Sequence, residues 1–504
     1  MADRDAAPEA PGLDRDVLVV AAVVVVGAFM SILDTTIVNV ALDTLSRDLD
    51  ASLDDVQWVA TGYLLALAVV IPLTGWTAER FGARRVWLVS VALFVSGSVL
   101  CGLAWDLGSL IVFRVLQGLG GGMVMPIGMI LITQAAGPQR VGRVMSIIGV
   151  PMLLGPVLGP VLGGLIVDHM SWRWIFFVNV PVGLVGIAMG LRWLPRVNPS
   201  DHPGRLDWRG FALLSPGLGL TVFGLAETST HAGLGATSAW LPLVAGLGLV
   251  AAFVVHSLRA PRPLIDVRLF RNVAFSSAAV TVLLFGIAFF GSMLLLPLLF
   301  QIARGQSALQ AGLLMAPQGL GAALVMPPVG RLTDRIGGGR VTLAGLALMI
   351  AATIPLAVIT PGTPDWLIVV VLFIRGIALG ASMMPTMAAA YAALELSAIP
   401  RATSALNVIQ RVGGSIGTAV LAVVLSSEIR QEIPAVGAAG IEGAQTVPPA
   451  ARARLAEPLT AAFAHTFWWT VALTAVAVIP AFVLYRTTPR PTPARPASRV
   501  ATEP

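Results

Sequence analysis

The chain has 504 residues, 56% of them hydrophobic and only 12% charged, with a mean hydropathy of +0.86, whereas an average soluble domain carries about 25% charged residues. That balance cannot cover a water-soluble surface, and the +6 net charge lies in short loops between apolar runs rather than in one stripe, which argues against a nucleic-acid partner. All 32 basic residues are arginine, a bias with no chemistry attached, and the one cysteine, Cys101, sits inside an apolar run, so no internal disulfide or Cys-based metal site can form.

The first 16 residues, MADRDAAPEAPGLDRD, are polar and acidic, and the apolar run after them has no A-x-A cleavage signal behind it, so it is expected to stay as a membrane span. Apolar windows bounded by charged or Gly/Pro-rich breaks predict spans at 17–41, 56–76, 86–104, 109–131, 143–168, 173–193, 210–227 and 239–257. Six more follow at 273–300, 309–329, 340–359, 366–390, 402–427 and 461–485. Each can cross a ~30 Å hydrocarbon core, and together they predict an all-α polytopic membrane protein of 14 transmembrane helices.

Arginine placement orients these spans. With a cytoplasmic N-terminus, 23 arginines fall in inside segments and six in outside ones, Arg47, Arg304, Arg430, Arg452 and Arg454 among the latter. This asymmetry predicts that both termini are cytoplasmic.

The sequence also repeats itself. GWTAERFGARR begins at Gly75 after the second span, and GRLTDRIGGGR begins at Gly330 after the tenth, 255 residues later. Gly75, Glu79, Arg80 and Gly82 match Gly330, Asp334, Arg335 and Gly337. A fainter echo joins FRVLQGLGGGMVMP, with Arg114, to IRGIALGASMMP, with Arg375. Two related bundles in parallel orientation explain both echoes. The expected organisation is a tail at 1–16, a six-helix bundle at 17–193, an inserted helix pair at 210–257, a second six-helix bundle at 273–485 and a tail at 486–504. The long outer loop at 429–459 reads either as a linker or as a hairpin over the outer mouth.

An ionised side chain at mid-membrane costs at least about 2.5–3.5 kcal/mol, so each one implies a partner, a water-filled cavity or a titration. Asp34 lies about 25 Å along the first span and Arg114 enters the fourth from the outside, so both belong to the outer half of the membrane, where they can pair. A buried carboxylate beside an arginine can trade a proton for a cationic ligand, the minimum a coupled antiporter needs; a permanent ion pair tying two helices together is the alternative. Asn39 can serve a substrate or a neighbouring helix. Gln410 and Arg411 lie deep enough to line a cavity between the halves, and Arg375 calls for an acid that the sequence does not identify. His256 and His465, near span ends, read as solvated. In the fifth span, Gly155, Pro156, Gly159, Pro160, Gly163 and Gly164 predict a pliable, closely packed helix. The charged GWTAERFGARR loop reads as a conformational latch at the membrane surface. No H-E-x-x-H, Walker loop, G-x-S-x-G or Cys/His cluster occurs, so neither an enzyme nor a cofactor or metal is expected.

These motifs resemble the major facilitator superfamily and, within it, the 14-span drug:H+ antiporters of the QacA/EmrB type, over residues 17 to 486. GWTAERFGARR is similar to the loop motif between spans two and three, through Gly75, Glu79, Arg80, Gly82 and Arg84, with Glu79 where Asp is usual and Ala83 where a basic residue is usual. LIVFRVLQGLGGG is similar to the fourth-span motif whose arginine is linked to proton transfer, here Arg114, with Gln117 and Gly118 beside it. GPVLGPVLGG matches the fifth-span antiporter motif through Gly155, Gly159, Pro160, Gly163 and Gly164. LDTTIVNVAL, with Asp34, Thr35 and Asn39, and WRWIFFVNVPVG from Trp172 look like motifs of the 14-span exporters. The resemblance implies the major facilitator fold, alternating access around one cavity between two six-helix halves, and a monomer. It further implies proton-coupled export of small amphipathic or cationic drugs and dyes across a bacterial plasma (inner) membrane. An exporter of one endogenous lipid or metabolite is the alternative.

Overall fold

The computed structural model describes residues 14–136, 158–159, 162–167, 169–196, 204–230, 237–395, 398–433, 440–445 and 449–488. The described elements are helical: α1 (Arg15–Asp48), α2 (Leu53–Val70), α3 (Thr74–Phe81), α4 (Ala83–Gly102), α5 (Leu107–Ala136), α6 (Trp174–Phe177), α7 (Asn179–Trp193), α8 (Trp208–Thr230) and α9 (Thr237–Arg259). They continue with α10 (Val273–Leu298), α11 (Ala308–Ile336), α12 (Gly338–Ala357), α13 (Asp365–Ala392), α14 (Ile399–Glu432), α15 (Gly440–Gln445) and α16 (Pro449–Thr487). Thirteen helices among the described residues are long and apolar enough to cross a membrane. They match thirteen of the fourteen expected spans; the other, 143–168, lies mostly outside the described residues. The protein is a multi-pass membrane protein.

Local chemistry sets the helix ends. Ser52 accepts the amide of Asp55 at the start of α2, and Ser307 and Gln310 form a reciprocal capping box at the start of α11. The repeated loops stop α3 and α11 at Gly82 and Gly337, whose φ angles of 82° and 88° are open to glycine and strained for other residues, which explains the glycine in both copies of the motif. Pro72 falls in the 3-10 turn Ile71–Leu73 that carries α2 into α3.

Within each half, small residues let helices touch at the backbone. A Cβ on Gly120 would stand 2.6 Å from the Phe94 amide nitrogen, and one on Gly376 would meet the Gln318 carbonyl, so α5 packs hard on α4 and α13 on α11. The inserted pair α8–α9 closes on itself in the same way at Gly224 and Gly246. It docks on α2 through Ser215, which donates to the Val69 carbonyl at 2.7 Å, and through stacking of Trp58 on Phe223.

The described parts of the stretch 429–459 include helix and buried apolar side chains. Helix α14 runs on to Glu432, α16 begins at Pro449, and α15 lies between them. Ile433 and Ala444 are buried against Ile429, Leu459 and Phe463, so burial of apolar side chains pins this segment to the end of the C-terminal half.

Candidate functional site

Asp34 is wholly buried in α1. The neighbouring Thr35 and Thr36 hydroxyls donate back to carbonyls one turn earlier, which satisfies them without water. On Asp34 three donors converge. Arg114 Nη1 from α5 approaches Oδ2 at 2.7 Å, Gln117 Nε2, one turn further along α5, approaches Oδ1 at 2.9 Å, and Asn179 Nδ2 at the start of α7 approaches the same Oδ1 at 2.8 Å. The spacing of three residues puts Arg114 and Gln117 on one helix face, and the same Nη1 also donates to Gln117 Oε1 at 2.7 Å.

A second ring of contacts holds the donors. Arg114 Nε donates to the Val59 carbonyl at 3.1 Å, and its guanidinium lies 4.1 Å from the centroid of Tyr63 and 5.7 Å from that of Phe176. Gln117 Nε2 also donates to Ser98 Oγ at 2.6 Å, and the buried Cys101 sends its Sγ to Gln117 Oε1 at 3.6 Å. The ion pair is thus buried, aromatic-walled and nearly saturated, the setting in which charge pairing is strong and loss of one partner is costly.

The arrangement can register a proton. Ionised, Asp34 accepts from three groups that can only donate in their present orientation. Once protonated, one of its oxygens becomes a donor facing another donor, and the contact must break or turn. Asn179 supplies the turn: its Oδ1 is buried without a hydrogen-bond partner, so rotation of the amide would present an acceptor to a protonated Asp34. Asn179, Ser98, Tyr63 and Phe176 escaped sequence reasoning. The one available signal was a lone amide in WRWIFFVNVPVG.

A second constellation joins the two halves at their arginine-rich end. Glu79 on α3 receives both Arg401 Nε at 2.9 Å and Arg401 Nη2 at 3.0 Å from the first turn of α14. Beside it Ser404 Oγ accepts the Gly75 amide at 2.9 Å and lies 2.6 Å from Thr74 Oγ1. A Cβ on Gly75 would come within 3.1 Å of the Pro400 carbonyl, so this glycine permits the closure. Of the expected latch residues, therefore, Glu79 and Gly75 make the contact across the halves. Arg80 and Arg335 are exposed, Arg84 Nη2 donates to the Leu191 carbonyl at 2.5 Å, and Gly82 terminates its helix. Asp334 lies in the last turns of α11, in the second copy of the loop.

Other expected residues are placed elsewhere. Neither Gln410 nor Arg411 is hydrogen-bonded to the Asp34 network among the described residues: Gln410 sends Nε2 toward Met383 Sδ at 3.9 Å and helps line a narrow cleft with Phe285, Phe289 and Phe290, while Arg411 lies within electrostatic reach of Tyr63, the ring beside Arg114. Arg375 has no acid beside it among the described residues. It donates to Ser292 Oγ at 2.5 Å, and its Nε and Nη1 are buried without partners. His256 is tied to Asp207 at 2.8 Å and His465 faces Glu428 at 3.2 Å, so neither is merely solvated. The Asn39 side chain, Gly155 and Pro160 lie outside the described residues. Gly159 sits where a Cβ would collide with Thr36 beside the Asp34 site; Gly163 is in the described part of that helix, and a Cβ on Gly164 would meet open space.

Comparison with known proteins agrees with this architecture. The model of the Major Facilitator Superfamily matches residues 24–418. The chain is 43% identical over 417 residues to a protein of Mycobacterium tuberculosis (strain ATCC 25618 / H37Rv) named multidrug resistance protein B homolog, covering 82% of this chain and 77% of that one. It is 32% identical over 394 residues to the multidrug export protein EmrB of Haemophilus influenzae, covering 78% and 77%. The solved proton:xylose symporter XylE superposes with a TM-score of 0.59 over 94% of this chain and 96% of that one, at 15% identity, a likeness of fold.

Proposed function

Because the chain belongs to the major facilitator superfamily, we propose that it is a proton-coupled exporter of small amphipathic, often cationic drugs or dyes. The observation that carries this reading is the buried Asp34 carboxylate, held by Arg114, Gln117 and Asn179 in the N-terminal half. The names of its relatives, a multidrug resistance protein homolog and a multidrug export protein, support drugs as the cargo. Proton uptake at Asp34 removes the charge that Arg114 answers and reverses the sense of one hydrogen bond. That local change favours a different packing of α1, α5 and α7, and the Glu79–Arg401 pair holds the arginine-rich end closed until it occurs.

In this reading the protein is a monomer in a bacterial plasma membrane with both termini cytoplasmic, and it alternates between a state closed at the cytoplasmic end and one closed outside. Cargo enters between the halves, and on the C-terminal side Gln410 and the phenylalanines of the α10 cleft offer it amide and apolar contacts. The test is efflux of ethidium from energised inverted vesicles, comparing wild type, Asp34→Asn and a protonophore control. Transport that collapses under both supports the reading; a wild type that moves no cationic dye removes the broad-specificity part of it.

A further inference from the structure

Among the positions at which the two copies of the charged loop differ, one lies beside a cleft. In the N-terminal copy Arg84 reaches the carbonyl of Leu191 near the end of α7 and fills the gap between that helix and the start of α4. Its counterpart in the C-terminal copy is Gly339. A Cβ there would stand 2.7 Å from Tyr485 Cα, so α16 closes directly on the start of α12 with no arginine between them. Beside that contact lies an open cleft of about 390 Å³, lined by Gly337, Gly339, Arg340, Phe482, Tyr485 and Arg486 among others.

Both arginines face the cleft without an acid. Arg340 lies over the Tyr485 ring at 5.6 Å and Arg486 over the Phe482 ring at 4.7 Å, and neither makes an ion pair among the described residues. Two guanidiniums held on aromatic rings with their forks unspent form a receptor for a phosphate oxygen pair. Three further arginines, at positions 490, 495 and 499, follow in the sequence.

The surroundings decide between a free anion and a lipid. Arg486 is in the last turn of a membrane span, Phe482 and Tyr485 are 44% and 36% exposed, and Ile479, one turn earlier, is 67% exposed. Aromatic rings at a span end mark the level of lipid headgroups, and a basic pocket between helices at that level suits an anionic headgroup. An apolar strip running away from the cleft along α16, through Ile479 and Val476, would meet an acyl chain but offers nothing to inorganic phosphate.

We propose that the cleft between α12 and α16 is a binding site for the headgroup of an anionic phospholipid, with Arg340 and Arg486 holding the phosphodiester. One lipid seated there bridges the loop after α11 to the last helix and so braces the C-terminal half.

The test is thermal unfolding of the purified full-length protein in detergent, titrated with phosphatidylglycerol, phosphatidylcholine or inorganic phosphate. Wild type is expected to be stabilised by phosphatidylglycerol at concentrations where the other two do nothing. Arg340→Gln/Arg486→Gln is expected to need roughly tenfold to thirtyfold more of it, since a basic residue near the surface contributes about a factor of five. The matched pair Arg85→Gln/Arg192→Gln, which removes the same charge at the same end of the other half, is expected to respond as wild type. Equal protection by phosphatidylcholine, equal protection by inorganic phosphate, or an undiminished response in the Arg340/Arg486 variant would each overturn the proposal. The lipid preference of the unmodified protein decides the matter even if that variant does not fold.

Discussion

Glu79 and Arg401, 322 residues apart, are joined by two hydrogen bonds of 2.9 and 3.0 Å that tie α3 of one half to the first turn of α14 in the other. Both side chains are partly buried, 16% and 22% exposed, so the pair keeps more of its Coulomb attraction than a fully solvated one. Charged hydrogen bonds of this kind contribute about 1.5–3 kcal/mol. Glu79→Gln is therefore expected to shift the conformational balance toward opening at the arginine-rich end by roughly tenfold or more. A reporter cysteine in place of Asn407, which lies next to Met129 across the same interface, measures this against a background in which the single native cysteine is buried. Faster maleimide labelling in the Glu79→Gln background is the expected result; an unchanged rate would show that the pair does not hold the interface.

At the buried site, removing one charge and removing both should differ. Asp34→Ala leaves Arg114 buried without its counter-charge and is expected to cost about 3–5 kcal/mol, read as a lowered unfolding temperature in detergent. Asp34→Ala combined with Arg114→Met removes both charges and is expected to recover most of that stability while transport stays absent. Recovery of transport by the double variant would mean that the pair only ties helices together.

The first-span acid and fourth-span arginine were legible because a charge inside an apolar run is expensive enough to demand a reason, and helix rise alone placed them at matching depth. Asn179 was not legible. A neutral amide costs little in a helix, and its partner lies 145 residues away, so only the folded chain reveals that it completes the carboxylate's shell. Arg401 escaped for a different reason: an arginine at the start of a span reads as topology until the opposite half is docked on it. The run 429–459 could be read as a linker or as a hairpin because its Pro and Gly content outweighs a few apolar residues, Ile433, Ala444 and Leu459, that are buried in the fold. Gln410 and Arg411 were placed by depth alone, which does not name the Met383 and Tyr63 side chains that the fold sets near them.

Asn179→Leu tests the amide-rotation step. Leucine is close in size but offers neither a donor to ionised Asp34 nor an acceptor to the protonated form. Dye efflux is expected to fall by about tenfold or more, as one hydrogen bond to a charged group would dictate, with a displaced pH profile; Asn179→Gln, which keeps both functions on a longer arm, is expected to recover part of it. A profile unchanged in Asn179→Leu would assign Asn179 to packing only.

The echo between Arg114 and Arg375 sets up the last comparison. Both are buried on helices that correspond in the two halves, but Arg114 has Asp34 at 2.7 Å whereas Arg375 has only Ser292, with two of its guanidinium nitrogens left unpartnered among the described residues. Replacing a paired buried cation orphans its partner, while replacing an unpaired one relieves a desolvated charge. Arg114→Met is therefore expected to destabilise the protein by about 3–5 kcal/mol and Arg375→Met to be neutral or stabilising, measured as unfolding temperatures of the two variants in the same detergent. Destabilisation by Arg375→Met as large as that by Arg114→Met would mean that Arg375 has an anionic partner after all, and equal tolerance of both would mean that the Asp34 pair contributes little to the fold. Among the described residues the repeat thus sets a buried cation at corresponding places in both halves and an acid beside only the one in the N-terminal half.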